Sequence, residues 1–287
     1  MTSNPKLRHK WTFDAIGTTW SVETERPLGV IRDDIAKNIE EFDHTYSRFR
    51  DDSLVSSIAD KAGAYEFPEG ADALLGFYDR LYAVTDGAVS PLAGEILAAA
   101  GYDKEYSFED SGARPVPGWN EVAAWNGTTL RADRPVLLDF GAAGKGRLVD
   151  IVARILESNG HASFVVDASG DMLARGISEQ VGLENPYDSS EVIGVAHVSD
   201  ASLCASATNR RAWGEWHHVV DPRTAKPVDD VVATWVVASS AMLADGLATA
   251  LFFVPAARLR EWDFEFVRLL RDGTVERSAG FMGELYV

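Results

Sequence analysis

The sequence predicts an α+β fold rather than a doubly wound parallel sheet. Helical patterns are concentrated before residue 101, whereas short strand-like segments follow one another from about residue 162 to residue 238. Such segregation of helices and strands is typical of α+β proteins, because a parallel sheet needs the two to alternate. The chain has 287 residues, 46% of them hydrophobic, so we expect residues 1–287 to form a single domain.

The first part of the chain is predicted to contain one strand and then several helices. Residues 11–23 alternate and are rich in threonine, tryptophan and valine, which predicts a strand. Apolar spacing predicts helices over residues 33–48, 71–85 and 91–100. Residues 101–126 carry glycine, proline, aspartate and serine without a clear period, so we expect the connection between two lobes there.

The second part is predicted to begin with a strand, a glycine-rich turn and a helix. The apolar run 135–140 indicates the strand, residues 141–146 indicate the turn, and Asn159-Gly160 closes the helix. Short strands are then expected over residues 162–166, 180–183, 192–198, 202–206, 216–220 and 233–238. A helix over 241–253 and strands over 264–270 and 283–287 complete the prediction.

Composition and charge exclude several classes of function. The formal net charge is -17, so the surface repels phosphate backbones and we expect no nucleic-acid partner. No run of 18 or more apolar residues occurs, which excludes a helical membrane span. The opening residues, MTSNPKLRHKW, lack the apolar stretch of a signal peptide, and Cys204 is the single cysteine. We therefore expect a cytoplasmic protein.

Asp245 and Thr249 form the most specific chemical pattern in the chain. Residues four apart lie on one face of a helix, so this carboxylate and this hydroxyl can reach one ion. Both are hard oxygen ligands, which suit Mg²⁺ or Ca²⁺ better than zinc. From the spacing alone, a helix turn with a solvated acid is the simpler interpretation, and the metal site is the alternative.

The glycine-rich turn at residues 141–146 is a second candidate. Backbone N–H groups at the start of a helix can bind phosphate, and Lys145 lies beside them. The phosphate-loop pattern Gly-x-x-x-x-Gly-Lys-Ser/Thr is absent. A tight strand-to-helix turn with an exposed lysine explains the segment as well as a ligand does.

Two adjacent histidines, His217 and His218, are a third candidate. Neighbouring residues of a strand face opposite ways, so at most one of them can point into a site, and the other should be dispensable. A histidine beside a turn can act as a general base near neutral pH or be structural. Ser90 is expected to cap a helix, and Ser169-Gly170-Asp171 to form a turn, neither of which requires a ligand.

These segments, in this order, resemble the FAD:protein FMN transferases of the ApbE family over nearly the whole chain. Each motif is weak alone, but six of them in the right order are specific. They are Ile16-Gly17-Thr18-Thr19-Trp20, Tyr46-Ser47-Arg48-Phe49 with Asp52-Ser53-Leu54, Thr85-Asp86-Gly87-Ala88, residues 139–150 (resembling DLGGIAKGYAVD), residues 218–226 (resembling HIIDPRTGK) and residues 245–249 (resembling DALAT).

The resemblance implies two interleaved lobes of mostly antiparallel sheet with flanking helices, and FAD between them. It implies that FMN moves from FAD to a threonine or serine hydroxyl of an acceptor protein, with AMP as the other product. It also implies roles for individual residues. Mg²⁺ would be held by Asp245, Thr249 and the backbone oxygens of Ala142 and Ala248; FAD would contact Asp139, Lys145 and the main chain of Ile16, Ala88, Val89, Ser90 and Val220; and His218 would be the base.

Several positions depart from the family pattern, while the metal and histidine positions are kept. The departures are Ile16 for methionine, Ser90 for aspartate, Ser169-Gly170 for a glycine pair, Cys204-Ala205-Ser206-Ala207 for Ala-Thr-Ser-Gly, and Thr224-Ala225-Lys226 for Thr-Gly-Lys. Flavin chemistry is therefore a firmer expectation than transfer to an acceptor. The alternatives are an FAD pyrophosphatase, which uses water as nucleophile, and a flavin-binding protein without turnover. A missing lipoprotein signal implies a cytoplasmic acceptor.

Overall fold

A computed structural model describes residues 7–286, whose centre is a sheet of eight strands. Residues 1–6, on which the expected absence of a leader partly rests, lie outside the described residues. So does Val287, the expected end of the last strand. Between residues 7 and 286, no helix is both long and apolar enough to cross a lipid bilayer.

The helices are α1 (Ile31–Tyr46), α2 (Leu54–Asp60), α3 (Ala71–Val84), α4 (Ala93–Ala99), α5 (Trp119–Val122), α6 (Gly144–Ser158) and α7 (Ala241–Ala250). The strands are β1 (His9–Ala15), β2 (Thr18–Thr24), β3 (Gly63–Glu66), β4 (Ala123–Asn126), β5 (Thr129–Ala132), β6 (Phe164–Asp167), β7 (Asp171–Arg175), β8 (Ser178–Asn185), β9 (Asp188–Ser199), β10 (Ser202–Ala207), β11 (Ala212–Trp213), β12 (Trp216–His217), β13 (Val220–Asp221), β14 (Lys226–Pro227), β15 (Val231–Ala238), β16 (Phe264–Leu270), β17 (Val275–Arg277) and β18 (Gly283–Leu285).

The central sheet has the order β1-β2-β6-β7-β10-β15-β16-β17, and each neighbouring pair is antiparallel. The sheet takes strands from both ends and from the middle of the chain. Its antiparallel pairing, together with the helices, confirms the predicted α+β fold. Side chains alternate between its faces. In β6, Phe164 and Val166 pack in the helix-covered core, whereas Val165 packs against the smaller sheet β18-β9-β8.

Helices α6 and α7 lie against each other on the helix-covered face. Gly146 permits this approach, because a methyl group in its place would collide with the carbonyl of Ala241. The backbone N–H groups of Ala241 and Met242 donate to the Asp150 carboxylate of α6, at 2.8 and 3.0 Å. Ser240 caps α7 by accepting from Leu243 N at 3.3 Å. The start of α7 is therefore fixed both by its own cap and by α6.

Three predicted strands differ from the structure. Residues 11–23 are a hairpin of β1 and β2, because Gly17 takes a positive φ of 73° that turns the chain. Residues 135–140 are extended but join no ladder. Residues 216–220 divide into β12 and β13, with His218 and Val219 between them, because Val219 N donates to the His217 ring at 3.2 Å and not to a neighbouring strand.

The segment 101–126 is irregular as far as Gly118 and then forms α5 and β4. Strand β4 pairs with β5, which also pairs with β3 in a three-stranded sheet. The lack of sequence period predicted the irregular part, but α5 and β4 are too short to show a period of their own. That this segment connects two lobes of one domain stays a prediction.

Candidate active site

The predicted metal ligands lie where α7 faces the start of α6. Asp245 is 4% exposed, and its Oδ2 accepts from Gly146 N at 2.9 Å. The Thr249 hydroxyl oxygen lies 3.4 Å from the Ala142 carbonyl oxygen. The Ala248 carbonyl accepts from the buried Thr234 hydroxyl at 2.8 Å, so one of its two lone pairs is already used.

These groups fit a hard divalent cation. Burial, reinforced by the nearby Asp171 carboxylate, raises the pKa of Asp245 well above its ordinary value, and a bound cation would reverse that shift. In the part of the chain that the structure describes, no three His, Cys, Asp or Glu side chains are grouped to hold a metal. One carboxylate with a hydroxyl and a carbonyl suits Mg²⁺, which retains several waters, and does not suit zinc.

Lys145 is a half-buried cation, not the exposed lysine of a surface turn. Its Nζ lies 2.8 Å from Asp171 Oδ2 and donates to Ala168 O at 3.2 Å. Burial opposes its charge, but the Asp171 and Asp245 carboxylates outweigh burial and raise the pKa of Lys145. The lysine therefore stays charged beside the predicted metal ligands.

Asp171 is a site residue that the sequence did not reveal. It was expected in a turn, but it is the first residue of β7 and is only 1% exposed. The run Met172-Leu173-Ala174 that follows is buried, and this apolar run after an acid was the available signal for a buried strand. The turn at Ser169 does exist, and its hydroxyl donates to Thr19 O at 2.8 Å, which brings the β1–β2 hairpin to the site.

Asp139 is engaged by neighbouring protein groups. Its Oδ2 pairs with Arg48 Nε at 2.6 Å, and its Oδ1 accepts from Gly141 N at 2.6 Å. Burial works against ionisation, but the Arg48 guanidinium outweighs it and lowers the pKa of Asp139. Arg48 also donates through Nη1 to Tyr102 O at 2.6 Å, while its buried Nη2 has no hydrogen-bond partner among the described residues. A contact of Asp139 with FAD stays a prediction.

The two histidines differ in their surroundings. His217 is buried, accepts from Val219 N through Nδ1 at 3.2 Å, and has its Nε2 2.9 Å from Val228 O. Because Nδ1 accepts, the neutral ring carries its proton on Nε2 and both nitrogens are bonded. His217 is thus structural, and the expectation that it is dispensable does not fit these contacts.

His218 keeps a free ring nitrogen. Its Nδ1 is buried and has no hydrogen-bond partner within residues 7–286. Burial, followed by the charges of Arg211 and His217, lowers the pKa of His218 to about 3. The ring is therefore neutral and able to accept a proton at neutral pH, but it is a weaker base than an ordinary histidine.

The predicted main-chain contacts lie in two turns and one short strand. The N–H groups of Ala88 and Val89 donate to the Thr85 carbonyl and hydroxyl, at 3.2 and 3.0 Å, so Thr85 holds the main chain of this turn. Ser90 accepts from Leu92 N at 3.2 Å, one turn before the start of α4, so it is not the helix cap. Asp139 N donates to Pro91 O at 2.8 Å, which places this turn beside Asp139.

Val220 and Ile16 complete the predicted set. Val220 is buried in β13 with Ile96 and Leu97 of α4. Ile16 has a positive φ of 44°, which is strained for a β-branched residue, and it lines a surface pocket of about 460 Å³ over residues 14–19. Such strain is concentrated at functional sites.

Arg211 links the two ends of the site, although no motif in the sequence indicated it. It precedes β11, and its carbonyl holds the backbone N–H of His218. The positive charge of Arg211 contributes to the pKa shifts of groups at both ends of the site, after the larger effects of burial and of closer charges. These groups are Asp139, Lys145, His218 and Asp245. The charge of Arg211 therefore acts at both ends of the site.

The chain is similar to proteins of a known family. The ApbE family model matches residues 16–265. A Vibrio cholerae protein named FAD:protein FMN transferase is 26% identical over 268 residues, covering 85% of this chain and 80% of the relative. An Escherichia coli K12 protein of the same name is 22% identical over 280 residues, covering 86% and 78%.

Solved structures show the same fold. The flavin transferase ApbE of Vibrio cholerae superposes with a TM-score of 0.79 at 23% identity, covering 96% of this chain and 97% of that one. The apo flavinyl transferase ApbE of Pseudomonas stutzeri gives 0.80 at 22% identity, covering 99% and 96%. With a family match over most of its length and this common fold, the chain belongs to the ApbE family.

Proposed function

We propose that this chain is a magnesium-dependent FAD:protein FMN transferase. It moves FMN from FAD to a threonine or serine hydroxyl of an acceptor protein and releases AMP. The observation that carries the proposal is the meeting of α6 and α7, where Asp245 accepts from Gly146 N at 2.9 Å and the Thr249 hydroxyl lies 3.4 Å from the Ala142 carbonyl oxygen. These are residues that the family resemblance assigns to the metal, and Lys145, which it assigns to FAD, is the neighbour of Gly146 in α6. The names of the relatives support the same reaction.

The protein groups divide the chemistry between them. Asp245, Thr249 and the Ala142 carbonyl would hold Mg²⁺, which supplies charge neutralisation at the phosphoryl oxygens. Lys145, kept charged by Asp171, would hold phosphate oxygens beside the Asp171 and Asp245 carboxylates. The neutral His218 ring would accept the proton of the acceptor hydroxyl, which is a poor nucleophile until that proton is removed.

The test is incubation of the purified protein with FAD, Mg²⁺ and candidate acceptor proteins, followed by mass spectrometry. Transfer predicts one acid-stable FMN on a threonine or serine and an equal amount of AMP. FMN and AMP released without a labelled acceptor would indicate an FAD pyrophosphatase. Bound but unchanged FAD would indicate a flavin-binding protein, and either result would overturn the proposed transfer.

A further inference from the structure

Arg211 differs from its neighbour Arg210 in its pairing. Arg210 Nη2 forms an ion pair with Glu184 Oε2 of β8 at 2.8 Å. Within residues 7–286, the Arg211 guanidinium has neither a hydrogen bond nor an ion pair. Its Cζ lies 6.0 Å from the centroid of the Tyr102 ring, at the limit of a cation–π contact.

A second guanidinium lies over the same ring. The Arg48 Cζ is 4.9 Å from the Tyr102 centroid, and its buried Nη2 is the donor without a partner. Asp139 compensates Arg48 through Nε but does not pair with Arg211. Leaving a buried charged donor unbonded costs free energy, and two cations at one ring repel each other. An anion that accepts hydrogen bonds from Arg48 Nη2 and from Arg211 would remove both costs.

We propose that Arg211 and the Nη2 group of Arg48 form an anion-binding site that receives a phosphate group of the dinucleotide, which rests on the function proposed above. The fork of an arginine matches two phosphate oxygens and is suited to this contact. Lys145 and Asp245 are carried by other elements, α6 and α7, so a substitution of Arg211 leaves their backbone in place. Arg211 is therefore a binding residue for the pyrophosphate.

The test compares ligands that have and lack phosphate groups. Arg211→Met should weaken the binding of FAD and of ADP about tenfold or more, because a charged hydrogen bond is lost. It should leave riboflavin binding unchanged. Arg211→Lys should recover part of the affinity, since it keeps the charge but loses the fork. Arg210→Met is the matched control and should bind all three ligands as the wild type does.

FAD and ADP titrations in EDTA and in Mg²⁺ distinguish the Arg211 contact from metal binding. Arg211→Met should bind both ligands more weakly than the wild type under both conditions. Equal FAD and ADP affinity for wild type and Arg211→Met would overturn the inference while leaving the transferase proposal intact. If Arg211→Met changed only the KM for the acceptor protein, the inference would also be overturned. Arg211 would then bind a carboxylate of the acceptor and not a phosphate of FAD. If the wild type binds ADP through Arg211 but does not transfer FMN, the proposed function fails and the anion site stands.

Discussion

At one end of the candidate site, the chemical groups are carried by helices α6 and α7, which hold Lys145, Asp245 and Thr249. At the other end, Arg211 and His218 are carried by turns and two-residue strands between β10 and β13. The helical end is fixed by regular spacing and by backbone contacts such as Gly146 N to Asp245 Oδ2. The loop end is fixed by individual side chains, among them His217.

The comparison shows how each end responds to substitution. Helix α7, which carries Asp245, is also held by its own cap and by Asp150, so the loss of the Asp245 carboxylate should appear mainly in the chemistry. In the loop end, a side chain that holds the backbone and a side chain that faces the substrate are adjacent in sequence. Substitutions there should separate into losses of stability and losses of rate.

The largest effect is expected at the helical end, from Asp245→Ala. This removes the charged metal ligand and should slow FMN transfer by about 10²-fold or more. EDTA should abolish the transfer activity of the wild type, and added Mg²⁺ should restore it. The activity of the variant should not respond to Mg²⁺. Asp272→Ala, in an exposed turn, is the control. A variant with full Mg²⁺-dependent turnover would remove Asp245 from the metal site.

At the loop end, His218→Ala should bind FAD almost as the wild type does but transfer FMN at least about a hundredfold more slowly. His217→Ala should show the opposite result, because it leaves the buried Val219 N–H and Val228 carbonyl without their bonded partner. We expect it to lower the free energy of unfolding by about 1–3 kcal/mol and to keep its activity while folded.

FAD titration, transfer rates and urea denaturation distinguish these two variants. If His217→Ala is the folded but inactive protein, the roles of the two rings are exchanged. If both variants remain active, the base lies elsewhere and the role given to His218 is wrong.

A smaller effect is expected where the two helices are joined. Asp150→Ala removes the acceptor of two backbone N–H groups at the start of α7, and should cost about 1–3 kcal/mol of unfolding free energy. Ser240→Ala removes only the side-chain cap and should cost about 1 kcal/mol. Denaturation in urea measures both. Equal losses would mean that α6 does not fix α7 more strongly than its own cap does.

The smallest effect is expected from Cys204→Ser, in β10 below α7. The thiol donates to Ala241 O at 3.4 Å, a contact that a serine hydroxyl can keep. Burial, with the nearby Asp171 charge, raises the pKa of Cys204 well above its ordinary value, so the thiol should resist alkylation until the protein unfolds. Transfer rates with and without iodoacetamide test this. Rapid alkylation, or lost turnover in a folded Cys204→Ser protein, would contradict a purely structural role.

The sequence determined much of the fold because the long elements carry clear periods. Residues 71–85 and 264–270 were predicted within one residue of α3 and β16. The hairpin at Ile16-Gly17 was missed, because alternation continues through its two strands and hides the turn. The broken strand at His218 was missed because β12 and β13 are too short to carry a period.

For the site, the sequence determined which residues share a helix face, since the spacing of Asp245 and Thr249 fixes this in any helix. Only the tertiary structure decided what faces them. It placed Asp171 against Lys145, paired Arg48 with Asp139, and left Arg211 unpaired beside Tyr102. The physical reason is that burial and charge pairing depend on residues far apart in the chain, whereas periodicity depends only on neighbours.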